Sequence, residues 1–362
     1  MESLFDALLN SSSVKGFGMY LTHESVTILH VKGGTLRASD TFPGDRHLIE
    51  LWSSNSGKLE TKESLNADVF KSIKAQNNAI YYEDITFRDI LFDSSYRGGG
   101  IFIVDSARTR INNCFFLHFT TEGILVQQGH ETFISSCFLG QHSTVGGDKG
   151  EKDFSGVAID LASNDNAVTD VAIFSAAIGV VLRGQANILT GVHCYNKATY
   201  FGGIGILVKL AVMEDPVQVH VTNGLFLGDA NIVLKSIKGQ IFGLNIVDNM
   251  FNGDPNKKVP IVKLDGEFSS IEQVVIDRNN VNGMSLRSTV GKLTASGNGT
   301  KWVADFSSVL VFPNRISHFQ YSFYAQDEAK FVALSMTNVS DNVVVVESEK
   351  EAKGFVSFKV EQ

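Results

Sequence analysis

Short aliphatic runs alternate with polar turns along most of the chain, and the runs fall into two recurring kinds. The first kind is a small residue followed by consecutive apolar ones. It reads Gly100-Ile101-Phe102-Ile103-Val104, Gly123-Ile124-Leu125-Val126, Gly156-Val157-Ala158-Ile159, Gly179-Val180-Val181-Leu182 and Gly205-Ile206-Leu207-Val208, and it continues at 231–234 and 260–262. The first aliphatic positions are 101, 124, 157, 180, 206, 232 and 261, so the steps are 23, 33, 23, 26, 26 and 29 residues. The second kind starts and ends apolar around a polar or small centre, in segments 85–92, 111–116, 134–139, 168–173, 189–194, 221–226, 241–247 and 271–276.

Two strand-like segments once every twenty-odd residues, without a 3.6-residue period, are the mark of a β solenoid. The first series is continuously apolar, as strands of a parallel sheet are when both faces are covered. A β-sandwich or barrel would instead show alternation and hairpin turns. The pattern therefore predicts an all-β chain folded as a right-handed parallel β-helix. Asn112, Asn113, Asn164, Asn166, Asn223, Asn249 and Asn279 fall at the bends, where asparagine tolerates unusual backbone angles and stacks in ladders. Helical coils are expected over 1–299, with polar excursions at 53–79 and 141–155. Residues 300–362 change to longer runs at 309–312, 331–336, 343–346 and 355–360, which predict an antiparallel cap over the open end. After Lys209 two strand-like pieces stand back to back, with Ile206 and Val212 only 6 apart. That spacing predicts a shortened coil.

Composition narrows the function. The net charge is −8 and no dense basic run occurs, which excludes a nucleic-acid partner. No stretch approaches the ~18 consecutive apolar residues of a membrane helix. Residues 1–17 lack a basic region followed by an apolar one, so no signal peptide is read there. The 33 glycines and 5 prolines suit many turns between short strands, and 26 phenylalanines suit a long stacked interior. Cys114, Cys137 and Cys194 are too few and too widely spaced for a disulfide framework or a metal site. They are read as buried thiols, and no metal or cofactor is expected.

Several longer strings resemble one family. They are Arg97-Gly-Gly-Gly-Ile101, Cys114-Phe-Phe-Leu-His-Phe-Thr-Thr121, Gly129-His-Glu-Thr132, Phe138-Leu-Gly-Gln-His-Ser-Thr-Val-Gly-Gly-Asp148, Ser163-Asn-Asp-Asn-Ala167 and Gly191-Val-His-Cys-Tyr-Asn-Lys-Ala198. From about Val31 onward the chain resembles the plant quartet-type polygalacturonases, pectin-lyase-like proteins classed with the family 28 glycoside hydrolases. The resemblance implies a secreted cell-wall protein that hydrolyses α-1,4-linked galacturonan in pectin, and a possible part in pollen-tetrad separation. The Asn-Thr-Asp, Gly-Asp-Asp, Gly-His-Gly and Arg-Ile-Lys motifs of the wider family are absent as such. The catalytic residues therefore have to be sought in this chain itself.

Inverting hydrolysis of a glycoside needs a carboxylic acid and a carboxylate base roughly 6.5–9.5 Å apart. A uronate substrate also needs Arg or Lys for its carboxylate. The richest acidic stretch contains Asp148, Asp160 and Asp165. Asp148 and Asp165 are the expected acid–base pair, in either order, with Asp160 as a third carboxylate. His142, Arg183, His193 and Lys197 are the expected substrate-binding residues, although His193 lies in an apolar run and reads more readily as a core histidine. The expected partner is polygalacturonate, met by a monomer. A non-catalytic β-helix that binds wall polysaccharide, and a lyase relying on Ca²⁺, are the competing readings.

Overall fold

The computed structural model describes residues 26–52, 80–140, 155–195, 203–209, 217–236, 239–326 and 332–362. Each first-series run forms a strand of one parallel sheet: His47–Leu51, Gly99–Val104, Glu122–His130, Ser155–Asn164, Ala176–Leu182, Ile204–Lys209, Ile232–Lys235 and Val262–Asp265. Six of the eight second-series segments divide at the polar centre into two strands that enter two further sheets; 241–247 stays within the strand Gln240–Val247, and 271–276 splits into two strands that both pair with it. Arg110–Asn112 is followed by Phe115–Leu117, Phe133–Ser135 by Phe138–Gly140, and Ile188–Thr190 by His193–Tyr195. One turn of the chain thus lays a strand on each of three faces, and the faces wind as a right-handed parallel β-helix.

Stacking sets the core. In the second sheet Phe87, Ile111, Ile134, Val168, Leu189, Val221, Ile246 and Ile276 are successive register partners, all buried. In the third sheet the inward column runs Phe92, Phe116, Leu139, Ile173, Cys194, Phe226 and Phe251. Its rings lie face to face, 4.6 Å apart for Phe92 and Phe116 and 4.8 Å for Phe226 and Phe251. These separations match the ~4.8 Å spacing of hydrogen-bonded strands, so rings stack at the strand repeat. The three cysteines are free and buried, and burial pushes the Cys194 thiol up to about 12.

The corner between the second and third sheets is one residue in the left-handed region. Asp89, Asn113, Ser136, Asp170, Gly191, Asn223, Asp248 and Arg278 occupy it in successive coils, with φ of 59, 51, 53, 50, 65, 55, 59 and 54°. That conformation turns the chain sharply while its amide still bonds along the axis, as Asn113 N does to Ser135 O at 3.0 Å. Polar side chains inside the turns stack on their own kind. Asn166 Nδ2 donates to Asn187 Oδ1 at 2.8 Å, and Asn249 Nδ2 to Asn279 Oδ1 at 3.0 Å.

The coil after Lys209 carries a strand on each face among the described residues. Ile204–Lys209, Val217–Thr222 and Leu225–Leu227 give it one strand on each face. Ile206 stacks between Val180 and Ile232, and Val221 between Leu189 and Ile246. The second strand-like piece that suggested a shortened coil falls at 210–216, outside the described residues.

Past the last coil, Val290–Asp305, His318–Ala325 and Leu334–Ser340 each pair antiparallel with Val343–Glu361. This sheet has its own apolar cluster around Trp302, Phe306 and Phe358. Val311 and Phe312, between its strands, belong instead to the solenoid core and cover its end, with Phe312 edge-on to Phe268 at 6.3 Å. Among the described residues no helix is long and apolar enough to cross a membrane.

Asn249 is fully buried, bonds Asn279 Oδ1 and the Val221 and Val247 carbonyls, and accepts from Gly224 N at 2.8 Å. Asn249→Ala strands these partners and is expected to lower stability by about 2–3 kcal/mol. The denaturant midpoint should shift accordingly, and an unchanged midpoint would refute the ladder's structural role.

Candidate active site

In the first sheet Ile101, Ile103, Ile124, Val126, Ile159 and Leu161 point into the core, so the residues between them face outward. One outward column is defined by register: Glu50, Phe102, Leu125, Asp160, Val181, Leu207 and Val233. Two carboxylates stand in a column that is otherwise apolar as far as Val233, whose next register partner is Lys263. A buried charge is tolerated only with partners, and these two are partnered very differently.

Glu50 is fully served. Arg46 donates from Nε to Oε1 at 2.8 Å and from Nη2 to Oε2 at 2.5 Å. The His47 amide and Trp52 Nε1 add bonds of 2.9 and 3.3 Å. Burial pushes Glu50 upward, but these donors outweigh it and hold the carboxyl below its usual range. This is a structural ion pair.

Asp160 is only 2% exposed, and a single residue serves it. Arg183 Nη2 pairs with Oδ2, while Oδ1 and Arg183 Nε have no hydrogen-bond partner among the described residues. Burial dominates and raises the Asp160 pKa; Arg183 and Lys209 pull against it, and the charge of Glu122 adds to the rise.

Glu122 opens the adjacent strand Glu122–His130. Its Oε2 lies 3.3 Å from His47 Nε2, a close approach off the line of a good hydrogen bond. The His47 ring in turn packs 5.5 Å from Phe102. Burial again pushes upward, but contact with His47, assisted by Thr121 and Arg183, holds Glu122 below the ordinary carboxylate range. Glu122 stands three residues before Leu125, the register partner of Asp160. At ~3.3 Å per residue and ~4.8 Å between strands, the two Cα atoms are about 11 Å apart. A neighbouring pair with opposite pKa displacements can divide acid and base roles.

Cations follow Asp160 along the axis. Arg183 comes directly after Leu182, the register partner of Leu161 and Val208, so it sits in line with Lys209. Lys209 is the register partner of Lys235. Lys235 is itself held by Asp265 at 3.5 Å.

Of the residues expected from sequence, the fold brings Asp160 and Arg183 together. Asp165 sits in an exposed left-handed bend just past the strand, five residues and about 16 Å of extended chain from Asp160, at the end remote from Glu122. His193 is not a core histidine. It faces solvent from the third sheet, between Ala172 and Leu225 in register, away from Asp160. Asp148, His142 and Lys197 lie outside the described residues. Glu122 and His47 were missed. The available signal was a charged residue in columns where neighbouring coils carry apolar ones, since Glu122 aligns with Val157, Ile178 and Ile204. Among the described residues no group of three His, Cys, Asp or Glu is placed to hold a metal ion.

No family model matches the chain. Two solved structures align over its length: the Dettilon tailspike protein, at 9% identity, 95% of this chain, 86% of that one and a TM-score of 0.40, and a mutant tailspike of E. coli bacteriophage HK620 in complex with a hexasaccharide, at 10%, 99%, 88% and 0.39. In sequence, the chain is 49% identical over 355 residues to Polygalacturonase QRT3 of Arabidopsis thaliana, covering 92% of this chain and 69% of that protein. Identity at that level and over that length places it: the chain belongs to the QRT3-type polygalacturonase family.

Proposed function

We propose that the chain hydrolyses galacturonan in pectin by inversion, with Asp160 as general acid and Glu122 as general base. The observation that carries the reading is a pair of carboxylates near enough to act on each other, one raised by burial and one held low by its contacts, beside a guanidinium whose Nε–H has no partner among the described residues. The protonated Asp160 carboxyl would give its proton to the leaving glycosidic oxygen, while Glu122 takes one from the attacking water. Membership of the polygalacturonase family supports this substrate and a place in the cell wall.

Arg183 would have two partners. In the free protein its guanidinium neutralises Asp160. A uronate carboxylate in the groove competes for the same N–H groups, and Arg is suited to bind it in a forked geometry. As Arg183 turns to the substrate, Asp160 loses its counter-charge and holds its proton more firmly. An acidic substrate would thus help to prepare the acid that cleaves it. Lys209 and Lys235 continue the positive row at the coil spacing of ~4.8 Å, close to the length of one pyranose unit.

Asp160→Asn and Glu122→Gln should each lower kcat on polygalacturonate by roughly 10²–10⁴-fold in a reducing-end assay. Near-wild-type rates in either variant would refute its assignment, and an unsaturated product absorbing in the ultraviolet would indicate a lyase instead. The pH profile of kcat/KM should be a bell. It should fall at low pH as Glu122 gains its proton and at high pH as Asp160 loses its own. Since Arg183 lowers the Asp160 pKa, Arg183→Gln should move the high-pH limb further up while raising KM for the acidic polymer; a limb that stays in place would disprove the coupling.

Arg183→Gln also leaves a buried carboxylate unpaired. It should cost about 2–3 kcal/mol of stability at pH 7, the low end for a broken buried pair because Arg183 is one-third exposed. Its partner's folded pKa lies above the unfolded value, so the penalty exists above the ordinary carboxylate range and disappears as pH falls below it. Denaturant midpoints of wild type and variant should converge at low pH; a gap that stays constant with pH would contradict this.

A further inference from the structure

A second constellation lies on the turns leading from the third sheet to the first, outside the Asp160 pair. Asp93 closes the strand Leu91–Asp93 and is 6% exposed. Its Oδ1 meets His118 Nδ1 at 2.7 Å and accepts from the Ser95 amide at 3.0 Å, while Oδ2 accepts from Arg37 Nε at 2.8 Å. Burial pushes Asp93 upward, yet His118, the Ser95 amide and Arg37 hold it below its usual range. The carboxylate therefore grips the imidazole at Nδ1 and leaves the Nε2 edge turned away from it. Tyr96, 54% exposed, packs on that imidazole with centroids 4.5 Å apart and planes at 33°.

The backbone here is unusual. Ser95, Tyr96 and His118 have φ of 49, 59 and 57°. A tyrosine seldom adopts this region, and the conformation persists only where the surroundings impose it. Stacked turns impose it here: Tyr96 N donates to His118 O at 2.9 Å, and Gly98 N to Thr120 Oγ1 at 3.1 Å. His118 precedes Glu122 by four residues. The ring pair thus lies on the same turn edge as the proposed base, on the side away from Lys209 and Lys235.

We propose that Tyr96 and His118 form a subsite for one uronate unit of an acidic polysaccharide, with the C–H face of the sugar on the Tyr96 ring and its carboxylate accepting from the Nε2–H of a His118 imidazolium that Asp93 holds at Nδ1. A neutral sugar would gain the stacking contact alone. The imidazole is fixed from behind by a buried carboxylate, so little side-chain freedom remains to be lost on binding. The subsite rests on the acidic-polysaccharide reading of the groove and extends it by one position past Glu122.

Electrophoresis of the full chain in native gels containing polygalacturonate, or neutral galactan, tests the subsite without needing turnover. Wild type should be retarded by polygalacturonate more than by galactan. Tyr96→Ala should weaken apparent affinity for polygalacturonate about tenfold, the scale of one aromatic contact. Tyr96→Phe should keep it, and His118→Gln should narrow the preference for the acidic polymer by about as much as Tyr96→Ala weakens binding, leaving the share due to Arg183 and the lysines. Equal retardation of wild type in both gels, no retardation in either, or Tyr96→Ala migrating as wild type would overturn the proposal. A wild type that is retarded but releases no reducing ends would fail the hydrolase reading and leave this subsite standing.

Discussion

Registered stacking is the constraint on which the rest depends. Every strand bonds to the strand one coil before and one coil after, so each residue has neighbours of its own position at ~4.8 Å above and below. An apolar residue inside must meet apolar residues, as the column through Ile134, Val168 and Leu189 does. A polar residue inside must meet polar residues, as Asn166 meets Asn187. A phenylalanine needs a partner of similar shape, as Phe92 finds in Phe116. The same rule leaves the last coil with an unmet edge. Phe312 and the antiparallel sheet beyond it answer that need with side chains rather than with another coil.

The constraint also gives exceptions their meaning. Glu50 and Asp160 occupy one outward column and face the same cost of burial. Arg46, a backbone amide and an indole N–H offset it for Glu50, and the result is a fixed strut. Among the described residues Asp160 has Arg183 alone, with one oxygen unserved. A fold that can satisfy a carboxylate as fully as it does Glu50 leaves this one under-satisfied. Such an imbalance tends to be kept where a ligand completes it.

How far the sequence could be read follows from the same geometry. The first series was legible because its strands are long and continuously apolar. The second series showed as one element where the structure has two, because strands of three residues joined by a one-residue corner leave no gap in the pattern. Asparagine, aspartate and glycine mark most corners, but Ser136 and Arg278 do not, since stacking imposes the angle regardless of residue. Asp160 and Arg183 could be found as polar residues bordering apolar strands. Glu122 could not, because coils of 23 to 33 residues hide the register, and without it Glu122 does not stand out beside Val157 and Ile178. Asp165 lies five residues past Asp160 along an extended strand, which separates those two, while its expected partner Asp148 falls outside the described residues. His193 looked interior because Val192 and Cys194 are, yet strand alternation turns the residue between them outward.

Charge shows why local arrangement outweighs bulk composition. The chain carries a net −8, which would repel a polyanion. Many acids, however, are paid off in pairs on other faces, as Asp84 is by Arg108 and Asp248 by Arg278. Along the first sheet the order is different. Arg183, Lys209 and Lys235 follow one another in register beyond Asp160, one cation per coil. Screening at physiological salt acts over ~8 Å, longer than one coil step and much shorter than the molecule. A polyanion lying on this face would meet this row, in which Asp160 and Asp265 pair with the first and last cation and can be displaced, and little of the distant negative charge. The stacking that builds the core also spaces the cations, so a repetitive fold presents charge at a repeating interval.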